Sequence, residues 1–478
     1  MLFNSIDFLV FLPLVFLLYW AVGAHTTRRN AVVLAASYVF YGWWDWRFLG
    51  LIALSTAVDY AVGRGLATEE DPRRRKLLLW TSLAVNLGLL GFFKYANFFI
   101  ESFTDAFTFM GTPIAADRLD IVLPVGISFY TFQTLSYTLD VYHRRLAPSR
   151  DALAFSAYVA FFPQLVAGPI ERATSLLPQF AAPRVFDRSS AVDGLRQILW
   201  GFFKKVVIAD NCALLVDGVF GAHVQMAGST LLLASVLFAF QIYGDFSGYS
   251  DIAIGTARLF GFGLMRNFAF PYFSRDIAEF WRRWHISLST WFRDYLYVPL
   301  GGSRGGTAMR VRNTFIIFLV SGFWHGANWT FVVWGALNAL YFLPLLLAGR
   351  NRTHLGTVAE GRLLPTLADA LRMLLTFLLT CLAWVFFRAE DLTQAWEILA
   401  RIGSPTLFAT PKLAARTLVV PMVFFLLMEW LGRSDQHVLE RIGLRWPTIL
   451  RWGMYAMVLT LIGLYMSTEE TPFIYFQF

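Results

Sequence analysis

Runs of hydrophobic residues separated by short polar stretches repeat along the whole chain. They occupy residues 8–22, 31–44, 49–62, 77–100, 121–141, 152–170, 195–208, 230–243, 314–347, 371–387, 418–431 and 452–466. An α-helix rises about 1.5 Å per residue, so about 20 apolar residues cross the hydrocarbon core of a bilayer. The pattern predicts an all-α polytopic membrane protein with about ten to twelve membrane segments, some of them re-entrant or interfacial. Because no soluble domain or linker interrupts it, we expect one integral-membrane domain over residues 1–478.

The run at residues 314–347 is too long for a single membrane helix. We expect it to break within residues 322–326, which leaves a short first arm and places His325 at membrane depth. Irregular backbone persists at that depth only inside protein or beside a cavity. An ionisable side chain there is expensive and usually functional, so His325 is the first candidate for a functional residue.

The composition is that of a membrane protein, and the placement of the charges argues against a nucleic-acid partner. The chain is 57% hydrophobic and 15% charged, with 47 Phe and 17 Trp, which is more apolar material than a soluble core takes up. Basic residues cluster after the first, third and fifth runs, which predicts an extracytoplasmic amino terminus and three cytoplasmic loops. The net charge of +8 is therefore a topology signal, and we expect no nucleic-acid partner but contact with membrane lipids.

Several familiar catalytic and ligand-binding motifs are absent. Cys212 and Cys381 lie far apart without metal-binding spacing, which predicts packing residues and no metal site. Ser247 stands in GxxSG where a hydrolase nucleophile requires GxSxG. The glycine-rich segment at 301–307 lacks the lysine of a phosphate-binding loop, so it predicts a flexible turn that carries Arg304.

Residues 276–297 predict a strongly amphipathic helix. An aromatic stripe that includes Trp284 and Trp291 runs beside a polar stripe of Arg282, His285 and Ser289 at the same spacing. Such a helix is typical of a membrane interface. The polar stripe could also line a cavity, with His285 facing it, and both interpretations stay open on this pattern alone.

Two further polar features follow from position. A neutral imidazole takes a proton from a hydroxyl near neutral pH, which is the chemistry that His325 suggests, although a core histidine bonded to a neighbouring helix is the alternative. Asn328, three residues on, could share a helix face with it and orient the ring or a substrate carbonyl. Asp245 and Asp251 are expected to cap helices, the alternative being a cavity-facing carboxylate paired with an Arg of the 276–297 helix.

Four motifs in the same order carry a resemblance to a known family. They are FPQLVAGP at 162–169, YGDFSGYSD at 243–251, EFWRRWHISLS at 279–289 and WHGANW at 324–329. Over essentially its full length the chain resembles the membrane-bound O-acyltransferase family. Within that family it is similar to the alginate O-acetyltransferase branch, a similarity strengthened by YVPLGGSRG at 297–305.

The resemblance implies a helical assembly around a central tunnel in a bacterial inner membrane, where an acyl donor enters from the cytoplasm and an acceptor from outside. The histidine of the WHG motif is catalytic in the family and corresponds to His325. The histidine of the RWHxS motif is the second active-site position and corresponds to His285. The expected donor is acetyl-CoA, with no bound cofactor, and the expected partner is an extracytoplasmic transferase that modifies an exopolysaccharide or cell-wall glycan.

Further positions are predicted to line the tunnel or contact the donor. Trp324, Asn328, Asp245 and Ser289 are candidates for the lining, and the phosphates of CoA favour cationic side chains. The cationic candidates are Arg282, Arg283 and Arg304.

Three alternatives remain at the level of sequence. A related branch, the D-alanyl transferases, shares the RWHxSLS pattern and takes its acyl group from a carrier-protein thioester. A transporter or channel could use a broken helix with a buried histidine, although no inverted repeat is visible. A membrane scaffold for glycan export would need neither histidine.

Overall fold

The structure is a computed structural model that describes residues 1–112, 114, 116–166, 168–413, 415–467 and 473–474. Contacts divide the chain into two compact units, residues 1–191 with 256–264, and residues 192–255 with 265–478. The prediction of a single domain stays a prediction. Of the four family-like motifs, the first contains Ala167, which lies outside the described residues.

The described residues are helical along nearly the whole chain. The first ten α-helices are α1 Ile6–Ala21, α2 Thr26–Gly42, α3 Leu49–Thr68, α4 Pro72–Leu90, α5 Ala96–Phe109, α6 Ile127–Tyr142, α7 Ala152–Val159, α8 Phe162–Leu165, α9 Ala173–Ala181 and α10 Arg188–Phe202. They are followed by α11 Asp210–Gly221, α12 Gly228–Leu259, α13 Ile277–Arg283, α14 Ile286–Phe292, α15 Thr307–His325, α16 Trp329–Leu347, α17 Leu367–Arg388, α18 Leu392–Ile402, α19 Arg416–Leu431 and α20 Thr448–Tyr465. The all-α prediction is confirmed.

Five described helical segments are long and apolar enough to cross a membrane. They are Pro72–Phe109, Gly228–Leu259, Trp329–Leu347, Leu367–Arg388 and Thr448–Tyr465. Ile6–Ala21 and Ala152–Leu165 are apolar but shorter. The chain is therefore a multi-pass membrane protein. Fewer segments meet this criterion than the ten to twelve predicted, because some apolar runs fold as shorter pieces. The run at 195–208, for example, is divided between α10 and a π-helical turn, Phe203–Ala209.

In the first unit, polar side chains between helices are paired with one another. The buried carboxylate of Asp59 on α3 accepts hydrogen bonds from Ser82, from Nδ2 of Asn86 at 2.9 Å and from Oγ1 of Thr138 at 3.0 Å. Ser55 Oγ donates to the Oδ1 of Asn86 at 2.6 Å. These bonds join α3, α4 and α6 through groups that would otherwise be buried without partners, at considerable cost in free energy.

In the second unit, α15 and α16 form a close helical hairpin. A Cβ added to Gly322 would lie 2.2 Å from the carbonyl oxygen of Phe331, and one added to Gly335 would lie 2.3 Å from that of Phe318. Only glycine permits this backbone separation, as small residues do in membrane helix pairs. The 314–347 run does break, but at residues 326–328 rather than within 322–326, because residues 322–325 are the last residues of α15. Its first arm is longer than expected, because the polar residues from Thr307 onward continue the helix.

The predicted single helix over 276–297 is wrong. The segment forms α13, a break at Trp284 and His285, then α14 and a π-helical turn at Arg293–Tyr297. His285 adopts left-handed backbone angles, with φ 42° and ψ 56°, which no helix can continue through. Trp284 and Trp291 on the aromatic stripe are buried in protein, so the stripe does not form a membrane-interface surface.

Candidate active site

His325 is the last residue of α15, immediately before the break that separates α15 from α16. Its imidazole is 2% exposed. The ring centroid lies 5.0 Å from that of Trp324, 5.1 Å from Trp334 on α16 and 5.4 Å from Phe387 on α17, all edge-on. Three helices therefore surround the ring with aromatic side chains and hold its orientation.

His285 lies at the break between α13 and α14 and is 1% exposed. Its ring centroid is 4.6 Å from that of Phe246 on α12 and 6.4 Å from that of Phe268. Burial lowers the pKa of the His285 imidazole to about 3, because the charged form would lose its hydration. The ring is therefore neutral at physiological pH and can exchange hydrogen bonds without carrying charge.

Asn267 fixes the start of α14 and thus the position of His285. Its carbonyl accepts the Ile286 N–H at 2.9 Å, its Oδ1 accepts the Ser287 hydroxyl at 2.9 Å, and its Nδ2 donates to Ser250 Oγ at 3.1 Å. A left-handed residue outside glycine persists only where its surroundings over-determine it. No motif in the sequence pointed to Asn267.

The structure brings the two candidate histidines together. The ring centroids of His285 and His325 are 6.2 Å apart, and Trp324 lies 5.9 Å from the His285 ring. The two residues are 40 positions apart in the chain and on different elements. At this separation a reacting group between the rings can contact both imidazoles, which is the geometry that a proton-transfer site needs.

A cavity of about 240 Å³ lies beside the pair, and we call it the Trp281 cavity. Its lining residues are Trp281, Leu288, Ser289, Phe292, Arg293, Tyr297, Ser303, Thr314, Ile317, Phe318, Ser321, Phe342, Leu346, Asn351 and Arg352. Ser321 precedes His325 by four residues on α15, so both occupy one face of that helix. Trp281 lies 5.7 Å from Trp334, whose ring faces His325. The cavity lining is therefore linked to His325 through Trp334, although neither histidine is itself among the described lining residues.

The four residues predicted to line a tunnel occupy different places. Ser289 lines the Trp281 cavity, whereas Trp324 contacts both histidines and is not among the described lining residues. Asn328 instead caps α16: its Oδ1 accepts the Thr330 N–H at 2.9 Å and its Nδ2 donates to the Glu390 carbonyl at 2.8 Å. The predicted helix face shared with His325 is wrong, because the helix ends before Asn328.

The three arginines predicted to meet CoA phosphates do not line the Trp281 cavity. Arg282 donates to the carbonyls of Asn351 and His354, at 2.7 Å each. Arg283 pairs with Glu279 at 3.0 Å and donates to the backbone. Arg304 is exposed on the turn that begins with Gly301 at φ +99°. The cavity is lined by Arg293 and Arg352 instead. Arg293 pairs with Asp294 at 2.7 Å.

Asp245 and Asp251 lie inside α12, so the expectation that they cap helices is wrong. Asp245 pairs with Lys205 at 2.8 Å and accepts the Ile474 N–H at 2.7 Å, and Asp251 pairs with Lys204. Both partners are lysines rather than arginines of the 276–297 segment. Asp251 lines a second cavity of about 10 Å³, room for about one water molecule.

Sequence comparison shows the family directly. A family model described as MBOAT, the membrane-bound O-acyltransferase family, matches residues 77–388. The probable alginate O-acetylase AlgI of Pseudomonas putida is 37% identical over 507 residues, covering 100% of both chains. The probable alginate O-acetylase AlgI of Azotobacter vinelandii is 42% identical over 84% of this chain and 78% of its own. The peptidoglycan O-acetyltransferase of Helicobacter pylori is 35% identical over 84% of this chain and 79% of its own.

The matched region contains both histidines, the helical hairpin and all of the Trp281 cavity lining. A family of enzymes is thereby favoured over the transporter and scaffold alternatives. The chain belongs to the membrane-bound O-acyltransferase family and is an O-acyltransferase.

Proposed function

We propose that the protein moves an acetyl group from cytoplasmic acetyl-CoA to a hydroxyl acceptor that approaches from the other side of the membrane. The observation that carries the proposal is the pair of buried imidazoles, 6.2 Å apart, whose neighbour Trp334 contacts the lining of the Trp281 cavity. His325 accepts the proton of the acceptor hydroxyl while the hydroxyl oxygen attacks the carbonyl carbon of the thioester. The C–S bond then breaks, and the imidazolium returns the proton to the leaving thiolate, so that CoA leaves as its thiol.

The lining of the Trp281 cavity fits the parts of the donor. Arg352 supplies positive charge suited to the phosphates of CoA, and Arg293, which pairs with Asp294 at 2.7 Å, is a second cationic side chain. Tyr297, Ser303 and Asn351 add polar contacts. An apolar section that includes Ile317 and Phe342 suits the pantetheine arm. A thioester held beside Trp281 and Ser321 would lie near the histidines. Positioning both reactants in this way can contribute about 7–11 kcal/mol to catalysis.

His285 has a separate role in this proposal. Because it is neutral, it can donate one hydrogen bond to the acceptor or to the carbonyl oxygen as negative charge develops there. Its strained backbone, anchored by Asn267, keeps the ring facing His325. Preorganisation of this kind avoids reorientation during the reaction.

The names of the relatives support a proposal for the acceptor. Their names describe acetylation of alginate and of peptidoglycan. We infer that this chain likewise serves an exopolysaccharide or cell-wall glycan in a bacterial inner membrane, through an extracytoplasmic partner transferase. The full-length similarity to O-acetylases favours acetyl-CoA over the carrier-protein thioester of the D-alanyl branch.

Purified protein in detergent tests the donor and the base together. With water taking the place of the acceptor hydroxyl, incubation with acetyl-CoA should release acetate and CoA thiol. His325→Ala should reduce the rate by at least about 100-fold, as expected for loss of a general base. His143→Ala, at an exposed histidine, is the matched control and should retain the wild-type rate. Wild-type rates in a properly folded His325→Ala protein would refute the mechanism. Thiol release from an aminoacylated carrier protein, and none from acetyl-CoA, would identify the D-alanyl alternative.

A further inference from the structure

Trp281 connects the Trp281 cavity to the surroundings of His325. It lines the cavity, and its ring centroid lies 5.7 Å from that of Trp334 and 5.3 Å from that of Phe318. Trp334 is fully buried and lies 5.1 Å from His325. If the acyl group reaches His325 from this cavity, as the proposed function requires, its route passes Trp281 and leads to Trp334.

Aromatic rings close the space beyond Trp334. Trp334 stacks on Trp384 with centroids 5.5 Å apart and an interplanar angle of 18°, and Trp384 lies 5.1 Å from Trp284. Phe387 contacts Trp334 and Trp384 at 5.2 and 5.0 Å. Rings at these separations are in van der Waals contact. Among the described residues, the side of His325 that faces Trp334 and Phe387 is therefore closed to an alkyl chain.

We propose that Trp281 and Trp334 limit the acyl group of the donor to a very short chain, a proposal that rests on acetyl-CoA being the donor as set out above. A thioester carbonyl within reach of His325 leaves its methyl group against these two indoles. Each added methylene would have to displace a packed ring, and well-packed interiors resist added methylenes. The enzyme should thus reject propionyl and butyryl donors for steric reasons.

Chain-length selectivity measures this directly. In purified protein, kcat/KM for thiol release is compared between acetyl-CoA and butyryl-CoA for the wild type and for Trp281→Phe, Trp281→Leu and Trp281→Ala. The ratio of butyryl to acetyl kcat/KM should rise as the side chain shrinks, by about tenfold or more in the smallest variant that folds. Trp334→Leu should change the ratio in the same direction. Because the series is graded, the result does not depend on any single variant being stable.

Phe342→Ala is the matched control. Phe342 also lines the Trp281 cavity, but its ring contact is with Phe318 at 5.9 Å rather than with Trp334 or a histidine. The Phe342→Ala substitution enlarges the same cavity away from the reacting carbon. The ratio of butyryl to acetyl kcat/KM should therefore stay at the wild-type value even if KM changes.

Three outcomes would overturn the inference. The first is an unchanged ratio in active Trp281 variants. The second is an equal rise in Phe342→Ala, which would assign selectivity to total cavity volume. The third is a wild-type enzyme that already uses butyryl-CoA as well as acetyl-CoA. Absence of wild-type turnover with any acyl-CoA would instead remove the proposed donor, and the inference with it.

Discussion

At the scale of single residues, the two histidines differ in what fixes them. His325 ends a regular helix, and three aromatic neighbours from α15, α16 and α17 set its orientation. His285 has a left-handed backbone that is held by Asn267. Local strain at an active position is retained when neighbouring contacts offset its cost. Burial also depresses the pKa of the His285 imidazole.

This depressed pKa predicts a pH-dependent stability. The unfolded-state pKa of His285 is about 6.5 and the folded-state pKa is about 3, so the unfolded chain binds the additional proton between these values. The stability that the neutral ring contributes is present at pH 7 and is lost as the pH falls through this window. The melting temperature in detergent should therefore drop more steeply from pH 7 to pH 5 in the wild type than in His285→Gln. Parallel pH profiles for the two proteins would contradict this.

At the scale of elements, the hairpin of α15 and α16 positions the proposed base, His325. His325 lies at its turn, Ser321 faces the Trp281 cavity, and Trp334 returns from α16 to contact His325. Gly322 and Gly335 allow the two backbones to approach closely enough for these contacts. Any change in their separation would alter the distance between His325 and Trp334.

Gly322→Ala should therefore destabilise the protein by about 1–3 kcal/mol and reduce turnover, because the added Cβ overlaps the Phe331 carbonyl oxygen. Gly453→Ala on α20 is the matched control. A Cβ there has nothing within 4 Å, and alanine favours helix over glycine by up to about 1 kcal/mol. Thermal melts of the two variants in detergent make the comparison. A Gly322→Ala protein as stable as Gly453→Ala would contradict the close-packing account.

At the scale of the whole molecule, contacts between distant parts of the sequence support the site within the second unit. Phe473 packs on Tyr249 and Phe246, at 4.6 and 5.6 Å, and Phe246 in turn contacts His285 at 4.6 Å. The next residue, Ile474, donates its N–H to the Asp245 carboxylate, which Lys205 neutralises. The buried carboxylate of Asp245 thus anchors residues 473–474, and Phe473 supports the ring of Phe246 that contacts His285.

Phe473→Ala should consequently lower kcat by about tenfold, since loss of support for Phe246 lets His285 shift and small misplacements are costly in catalysis. The KM for acetyl-CoA should stay near the wild-type value, because Phe473 does not line the Trp281 cavity. Phe473→Leu should recover part of the rate. Phe408→Ala, at a ring that is 89% exposed, is the matched control. A change in KM alone would show that Phe473 acts through donor binding rather than through His285.

The sequence by itself determined the all-α membrane character, the presence of a break in the 314–347 run and the family, and it singled out His285 and His325 as candidates. These features depend on local periodicity and on contiguous motifs. Only the tertiary structure decided the break at His285, the capping role of Asn328 and the lysine partners of Asp245 and Asp251. It also decided that Arg293, Arg352 and Trp281 line the cavity and that Trp334 and Phe387 surround His325. The reason is physical: these side chains meet across helices, and a contact between elements leaves no periodic signal along the chain.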